Sequence, residues 1–252
     1  MKVVIIGAGN VATVFGRLLI NANHQVIEVN SRNAESAQLL ANKLGCSFSQ
    51  DPSKIDTSAD IYIVAMSDFA LNNINQNFAL NDKIVVHTAG SVSKEVLNKV
   101  STNYGVIYPL QSLRKENLEL HQDIPLLIDG NTDAVINVIE ELALSISTVV
   151  SKTTDAERIK LHLAAVMVSN FTNHLYTLAS DYCTKENLDF KMLQPLIEET
   201  ALRLRYHLPG NMQTGPAKRK DIITLEKHLR LLNDYPAIKK VYLKITDSIM
   251  TP

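Results

Sequence analysis

The clearest chemistry in this sequence stands at its start, where Gly7-Ala8-Gly9-Asn10-Val11-Ala12 follows the β-branched run Val3-Val4-Ile5-Ile6 and precedes helical apolar spacing from Ala12 to Leu19. A G-x-G-x-x-A spacing between a strand and a helix suits a dinucleotide pyrophosphate. Gly7 permits the tight turn, Gly9 carries no side chain to block the phosphates, and Ala12 lets the helix approach the strand. Backbone N–H groups of Ala8, Asn10 and Val11 at the helix start are expected to face the phosphates. The competing reading is a glycine turn that merely joins strand to helix.

A second strand, Gln25 to Val29, ends at Asn30-Ser31-Arg32. An NAD site carries an acid there to accept from the ribose 2′-hydroxyl. An amide, a hydroxyl and a guanidinium suit a 2′-phosphate instead, so the sequence points to NADP(H). The alternatives are Arg32 as a solvated charge and Glu28 as the ribose acid. Three further strand endings carry polar residues: Met66-Ser67-Asp68, His87 to Ser91, and Pro109-Leu110-Gln111-Ser112. Ligands of parallel sheets sit outside the carboxyl ends of the strands. Met66, Ser67, Thr88 and Ala89 are therefore expected beside the nicotinamide, and Ser91 and Gln111 beside the substrate.

These groups need elements to hold them. Apolar strands at 60–65, 82–86 and 104–108 alternate with helices, which implies βαβ units and a doubly wound, mainly parallel Rossmann-type sheet. A helix is expected from Ala34 to Leu44, with Leu39 and Leu40 inward and Gly45 as its stop. Ile124 to Ile128 and Thr148 to Val150 flank a helix from Thr132 to Ser145 and close a first domain, 1–150. The second, 151–252, reads as all helix.

Its first helix opens on a capping box, Thr154 to Glu157, and runs to about Cys183. Apolar around most of its circumference from Leu161 to Val168, it reads as a buried central rod. At about 100° per residue, His162, Ser169 and Asn173 share one line, with Asn170 beside them. Amphipathic helices follow at 193–204 and after Pro236. So thin a core around one rod predicts a homodimer through the helical half. Between those helices lies Gln213-Thr214-Gly215-Pro216-Ala217, then Lys218-Arg219-Lys220-Asp221. Arg219 either holds an anionic substrate or belongs to a solvated charge run.

The chain has 252 residues, 46% of them hydrophobic and 20% charged, with a formal charge of −1. That balance offers no field for nucleic acid or an anionic membrane. Cys46 and Cys183 form no metal or redox spacing and read as thiols in a reducing compartment. No metal site, signal peptide or membrane span is expected, and the reading is cytoplasmic.

Gly7 to Ala12, Asn30-Ser31-Arg32 and Val86-His87-Thr88-Ala89-Gly90-Ser91 resemble the first domain of pyrroline-5-carboxylate reductase. The Rossmann-plus-helical layout is similar to the 6-phosphogluconate dehydrogenase superfamily, which includes ketopantoate reductase. Through His162 and Gln213 to Asp221 the whole chain resembles a bacterial family of oxidoreductases with a carboxyl-terminal domain of unknown function. Ketopantoate reductase places a Lys early in the central helix and Asn residues one and two turns later. Here His162 stands in a comparable place, Val166 replaces the first Asn, and Asn170 matches the second.

The function expected is hydride transfer between NADP(H) and a small carbonyl or imine in an interdomain cleft. Hydride transfer leaves negative charge on oxygen or nitrogen, and an imidazole, with an ordinary pKa of about 6.5, suits the proton donor. His162 is the candidate acid, Asn170 and Asn173 orient the substrate, and Gln111 or Arg219 holds its polar end. The competing reading for His162 is a structural residue. Two other functions compete: a catalytically silent NADP-binding sensor or assembly protein, and a reductase exchanging hydride between NADP and a deazaflavin.

Overall fold

Short runs, most of them β-branched, alternate with helices through the first half of the chain, and in the computed structural model the runs pair into one sheet. The structure describes residues 1–74, 78, 80–116 and 123–251. Strands β1 (Lys2–Ile6), β2 (Gln25–Asn30), β3 (Ser47–Ser49), β4 (Ile61–Val64), β5 (Asn81–His87), β6 (Ser101–Pro109), β7 (Leu126–Gly130) and β8 (Val150–Lys152) form it. Their order is β3-β2-β1-β4-β5-β6-β7-β8. All neighbours run parallel except β6 and β7, which pair antiparallel from Gly105↔Gly130 to Pro109↔Leu126.

The period of two along each strand sends alternate residues into two cores. Val3, Ile5, Ile61 and Ile63 pack with Phe15, Leu19, Leu40, Ile139 and Leu142 on one face. Val4, Ile6, Tyr62 and Val64 pack with Leu71, Leu97 and Val100 on the other. The helices concerned are α1 (Asn10–Asn21), α2 (Ala34–Leu44), α3 (Asp68–Leu71) and α4 (Asp133–Ile146). Local chemistry sets their ends: Asn33 caps α2, Thr132 caps α4, and Gly45 closes α2 at φ +68°. Leu39, expected inward, is exposed, whereas Ala37, Leu40 and Ala41 are buried. The buried stripe is the i, i+3, i+4 set of Ala37, Leu40 and Ala41, and Leu39, about 200° round the helix from Ala37, points away from it.

The chain divides into two compact units, Met1–Ser169 and Asn170–Pro252. The first therefore extends past the sequence-expected division at Ser151–Thr154 and includes α5 (Asp155–Ala165). Thr154 and Glu157 form the expected capping box at its start. One turn on, Arg158 lies 1% exposed and fastens α5 to the loop after β5. Its Nη2 donates to the Val92 carbonyl at 2.5 Å and to Asp155 at 2.6 Å, while Asp155 also accepts from the Ser93 hydroxyl and the Lys94 N–H.

Beyond α5 the helical run passes through a π segment, Val166–Phe171, into α6 (Thr172–Lys185). The expectation of a buried rod is corrected here. Leu163 is 63% exposed, Val168 75% and Phe171 60%, so among the described residues the apolar surface of this run is left uncovered. A π turn also takes more than 3.6 residues, which breaks the 100° count that aligned His162 with Ser169 and Asn173. The second unit continues with α7 (Gln194–Leu202), α8 (Ile222–Leu231) and α9 (Pro236–Met250). Among the described residues no helix is long and apolar enough to cross a membrane.

Two outcomes follow from the strap at the end of β5. Arg158→Met removes the charge but keeps volume, leaves Asp155 and the Val92 carbonyl short of a donor, and is expected to cost about 3 kcal/mol in urea unfolding at neutral pH. His87, which ends β5, is fully buried, and burial, then the Arg158 guanidinium, push its imidazole down to about 4. The unfolded chain binds that proton near 6.5, so stability is complete above 6.5 and is lost as pH falls towards 4. Between pH ~7.5 and ~5 wild type should lose about 2 kcal/mol more than His87→Asn in matched urea titrations.

Candidate functional site

The carboxyl edge of the parallel strands carries a cleft of about 510 Å³, bordered by Gly7, Ala8 and Gly9, by Asn30, Ser31 and Arg32, and by Met66 and Ser67. The glycine turn makes its floor. Gly7 adopts φ +124°, and a Cβ there would stand 2.1 Å from the Ala65 carbonyl oxygen, so only glycine fits. Its N–H donates to the Asn30 carbonyl at 2.8 Å, which ties the turn to the end of β2. At Gly9 a Cβ would meet nothing within 4 Å, so the backbone at the start of α1 lies open.

Helices α2 to α5 each begin under an accepting side chain, Asn33, Ser67, Thr132 or Thr154. Helix α1 does not: Gly9 occupies its N-cap, and its first turn holds no acid. Its first N–H groups and the positive end of its dipole are left for an anion. A dinucleotide pyrophosphate fits that donor set.

The far end of the cleft tests the ribose chemistry. Glu28 is buried and accepts from the Asp56 N–H at 2.8 Å, which commits it to the protein interior rather than to a ribose. Asn30 is buried as well and donates to the Asp51 carbonyl at 3.3 Å. Arg32 is exposed at the rim, beside Ser31. The side chains left to meet a ribose substituent are thus a hydroxyl and a guanidinium.

A second cluster gathers where β5 ends. Ala89 donates its N–H to His87 Nδ1 at 3.1 Å, closing the turn that leads to Gly90. Gly90 is buried under two rings, and a Cβ there would stand 2.7 Å from both His162 Nδ1 and Tyr108 Cζ. Tyr108, near the end of β6, and His162, one turn after Arg158 on α5, join through Tyr108 Oη and His162 Nδ1 at 2.9 Å. Their rings meet edge to face, centroids 5.8 Å apart. Burial, then the Asp68 carboxylate, raise the Tyr108 phenol above its ordinary value, with Arg158 opposing. Asp68 in turn accepts from the Ser91 hydroxyl.

The expected site residues fall into three groups. Gly7, Ala8, Gly9, Asn30, Ser31, Arg32, Met66 and Ser67 border one cleft. Thr88 and Ala89 are buried outside that border, the Thr88 hydroxyl turned onto the Val64 carbonyl at 3.4 Å, while Asn10 and Val11 stand at the start of α1. Ser91 is engaged by Asp68, and Gln111 is exposed in the loop after β6. Asn170, Asn173 and Arg219 belong to the second unit, all exposed. There Gly215, Pro216 and Ala217 help wall an apolar cavity of about 570 Å³.

Sequence reasoning missed Tyr108 and Arg158, and placed Gly90 only within the stretch His87 to Ser91. Arg158 had a local signal, since four residues separate it from His162 on one helix face. Tyr108 had none, because its partner lies on an element far along the chain. Phe69, which borders the cleft and is 83% exposed, was equally silent.

Comparison with known proteins agrees with this geometry. Residues 2–91 match the family "NADP oxidoreductase coenzyme F420-dependent". Residues 124–249 match a domain of unknown function, DUF2520. The crystal structure of a putative NADP oxidoreductase from Bacteroides fragilis superposes with a TM-score of 0.93 at 35% identity, covering 100% of this chain and 98% of that one. At 13% identity, pyrroline-5-carboxylate reductase from Streptococcus pyogenes gives a TM-score of 0.67 over 100% of this chain and 99% of its own. An imine reductase from Myxococcus stipitatus in complex with NADP⁺, also 13% identical, gives 0.65 over 100% and 92%. These last two share the fold. The search of curated proteins gave no match. With a glycine turn, an uncapped α1 and a whole-length relative above 30% identity, the chain belongs to a family of NADP oxidoreductases that joins a Rossmann-type half to the DUF2520 domain.

Proposed function

We propose that this oxidoreductase uses NADP(H) to reduce a small carbonyl or imine, with His162 as the proton donor. The observation that carries the reading is the imidazole of His162 held over Gly90 at the carboxyl end of β5, on the sheet edge that bears the cofactor cleft. When bound, the reduced nicotinamide supplies a hydride. The protein then has to hold the phosphates and deliver a proton to the heteroatom left negative. Gly7, Ala8 and Gly9, with the bare N–H groups of Asn10 and Val11, would hold the pyrophosphate, Ser31 and Arg32 the 2′-phosphate, and Met66 and Ser67 the cofactor's other edge. His162 is suited to the proton by type and place. In this reading Asn170 and Asn173 orient the substrate, and Gln111 or Arg219 holds its polar end.

The activities named for its relatives support the redox class. The imine reductase was solved with NADP⁺, and imines fit a site that must protonate nitrogen or oxygen after hydride arrives. A second reading has its own support, because the family matched at residues 2–91 names coenzyme F420. In that reading the hydride acceptor or donor opposite NADP is a deazaflavin.

The active species in this proposal is a homodimer through the helical half. The second unit buries few of its apolar side chains: Cys183, Ala217, Leu225 and Leu232. Leu196, Leu202, Leu204 and Leu231 are each more than half exposed, and α9 has no buried residue. A second copy would cover that surface.

Two measurements test the assignment. Arg32→Ala should weaken NADPH binding about tenfold in calorimetry, the scale of one charge-assisted phosphate contact, and leave NADH unchanged. Tighter binding of NADH than NADPH by wild type would overturn the cofactor preference. In a panel of keto acids, aldehydes, cyclic imines and a deazaflavin, wild type should oxidise NADPH with at least one, and His162→Gln should lose at least about 100-fold while still binding NADPH. Cofactor binding without turnover across the panel would favour the sensor.

A further inference from the structure

The contact between Tyr108 and His162 does more than hold a ring in place. Oη and Nδ1 are 2.9 Å apart, and among the described residues neither Tyr108 Oη nor His162 Nε2 has another polar partner. A phenol is donor and acceptor at once, and a neutral imidazole has one nitrogen of each kind. Were Nδ1 to carry the ring proton, it would donate to Oη, and the half-buried phenolic hydrogen would have no acceptor. With the proton on Nε2, the phenol donates into Nδ1, its one protein acceptor, and Nε2–H is left to a solvent molecule or a substrate. Satisfying the buried donor selects the second arrangement.

We propose that Tyr108 is a positioning residue that donates its hydroxyl hydrogen to His162 Nδ1, fixes the ring proton on Nε2, and stands behind His162 as the source of the proton it hands on.

This rests on His162 being the proton donor. In the step, the Nε2–H bond breaks as a bond forms between hydrogen and the substrate heteroatom made negative by hydride transfer from NADPH. The Tyr108 O–H bond breaks as Nδ1–H forms; after product leaves, Nε2 takes a proton from water as the Nδ1 hydrogen returns to the phenolate oxygen, which restores the starting tautomer. One hydride and one solvent proton are consumed, and the imidazole stays neutral throughout. Burial and Asp68 favour the protonated phenol, so the hydrogen is present before the reaction, while the Arg158 guanidinium favours the transient phenolate. Gly90 makes the alignment possible, because a side chain there would separate the two rings.

The tautomer can be read without turnover. Full-length protein labelled with ¹⁵N-histidine and saturated with NADPH is raised in pH until the His162 nitrogen shifts stop changing, which marks the neutral ring. Nitrogen–proton correlation spectra, with His162 identified from the His162→Gln spectrum, should show a bare, accepting Nδ1 and a protonated Nε2. In Tyr108→Phe the two nitrogens should move towards a mixture. A protonated Nδ1 in wild type, or a Tyr108→Phe ring with an unchanged tautomer, overturns the proposal; should Tyr108→Phe not fold, the wild-type spectrum alone decides. With any panel compound that turns over, Tyr108→Phe should lower kcat at least about tenfold with KM for NADPH unchanged. An unaltered kcat sinks the relay even with the tautomer fixed. Full activity in His162→Gln sinks the underlying assignment instead, whatever the spectra show.

Discussion

A buried guanidinium holds the site of this protein together. Arg158 gives up its hydration to bind the Val92 carbonyl and Asp155, and among the described residues its Nε and Nη1 find no partner in hydrogen-bond geometry. Desolvating such a charge costs several kcal/mol, and one carboxylate with one carbonyl does not offset it generously. What the contact provides is registry. It pins the first turn of α5 to the loop after β5, and the next turn then sets His162 over Gly90 and beside Tyr108. Burial, with the same positive charge adding to it, keeps His87 neutral, so that the end of β5 is a donor and acceptor framework rather than a second cation.

Two kinds of order meet at the sheet edge. One is built by backbone: the strained turn at Gly7, its bond to Asn30, and the bare first turn of α1. The other is built by side chains from three elements, β5, β6 and α5, and depends on a missing side chain at Gly90. The first recognises charge and tolerates little change in shape. The second positions one imidazole to within hydrogen-bond reach of one phenol, a tolerance set by packing rather than by charge.

That division explains what could be read from the sequence. Gly7 to Ala12, the caps Asn33, Thr132 and Thr154, and the stop at Gly45 act within a few residues of themselves, and each is legible in the chain. The β-branched runs likewise announced β1, β2, β4, β5 and β6, because burial on both sides of a parallel sheet leaves little alternation to misread, whereas β3, Ser47–Ser49, has no such run and was not expected. Tyr108 and Gly90 acquire meaning only when β5, β6 and α5 are brought together, and no local pattern carries that. Leu39 shows the cost of treating adjacent leucines as one face. The run from Leu161 to Val168 shows another: apolar sequence reports surface that seeks cover, and the described residues do not supply it. Spacing arguments also assume one helical pitch, which Val166–Phe171 does not keep.

The bare first turn of α1 has a consequence for how this protein meets its surroundings. Unsatisfied amides reward any small anion that reaches them, since a backbone cradle senses charge and size but not the molecule behind the phosphate. If the dinucleotide binds there as proposed, inorganic phosphate and sulfate are its rivals for the same few donors. The apparent affinity for the cofactor is then a property of the medium as much as of the protein, and buffer composition tunes it.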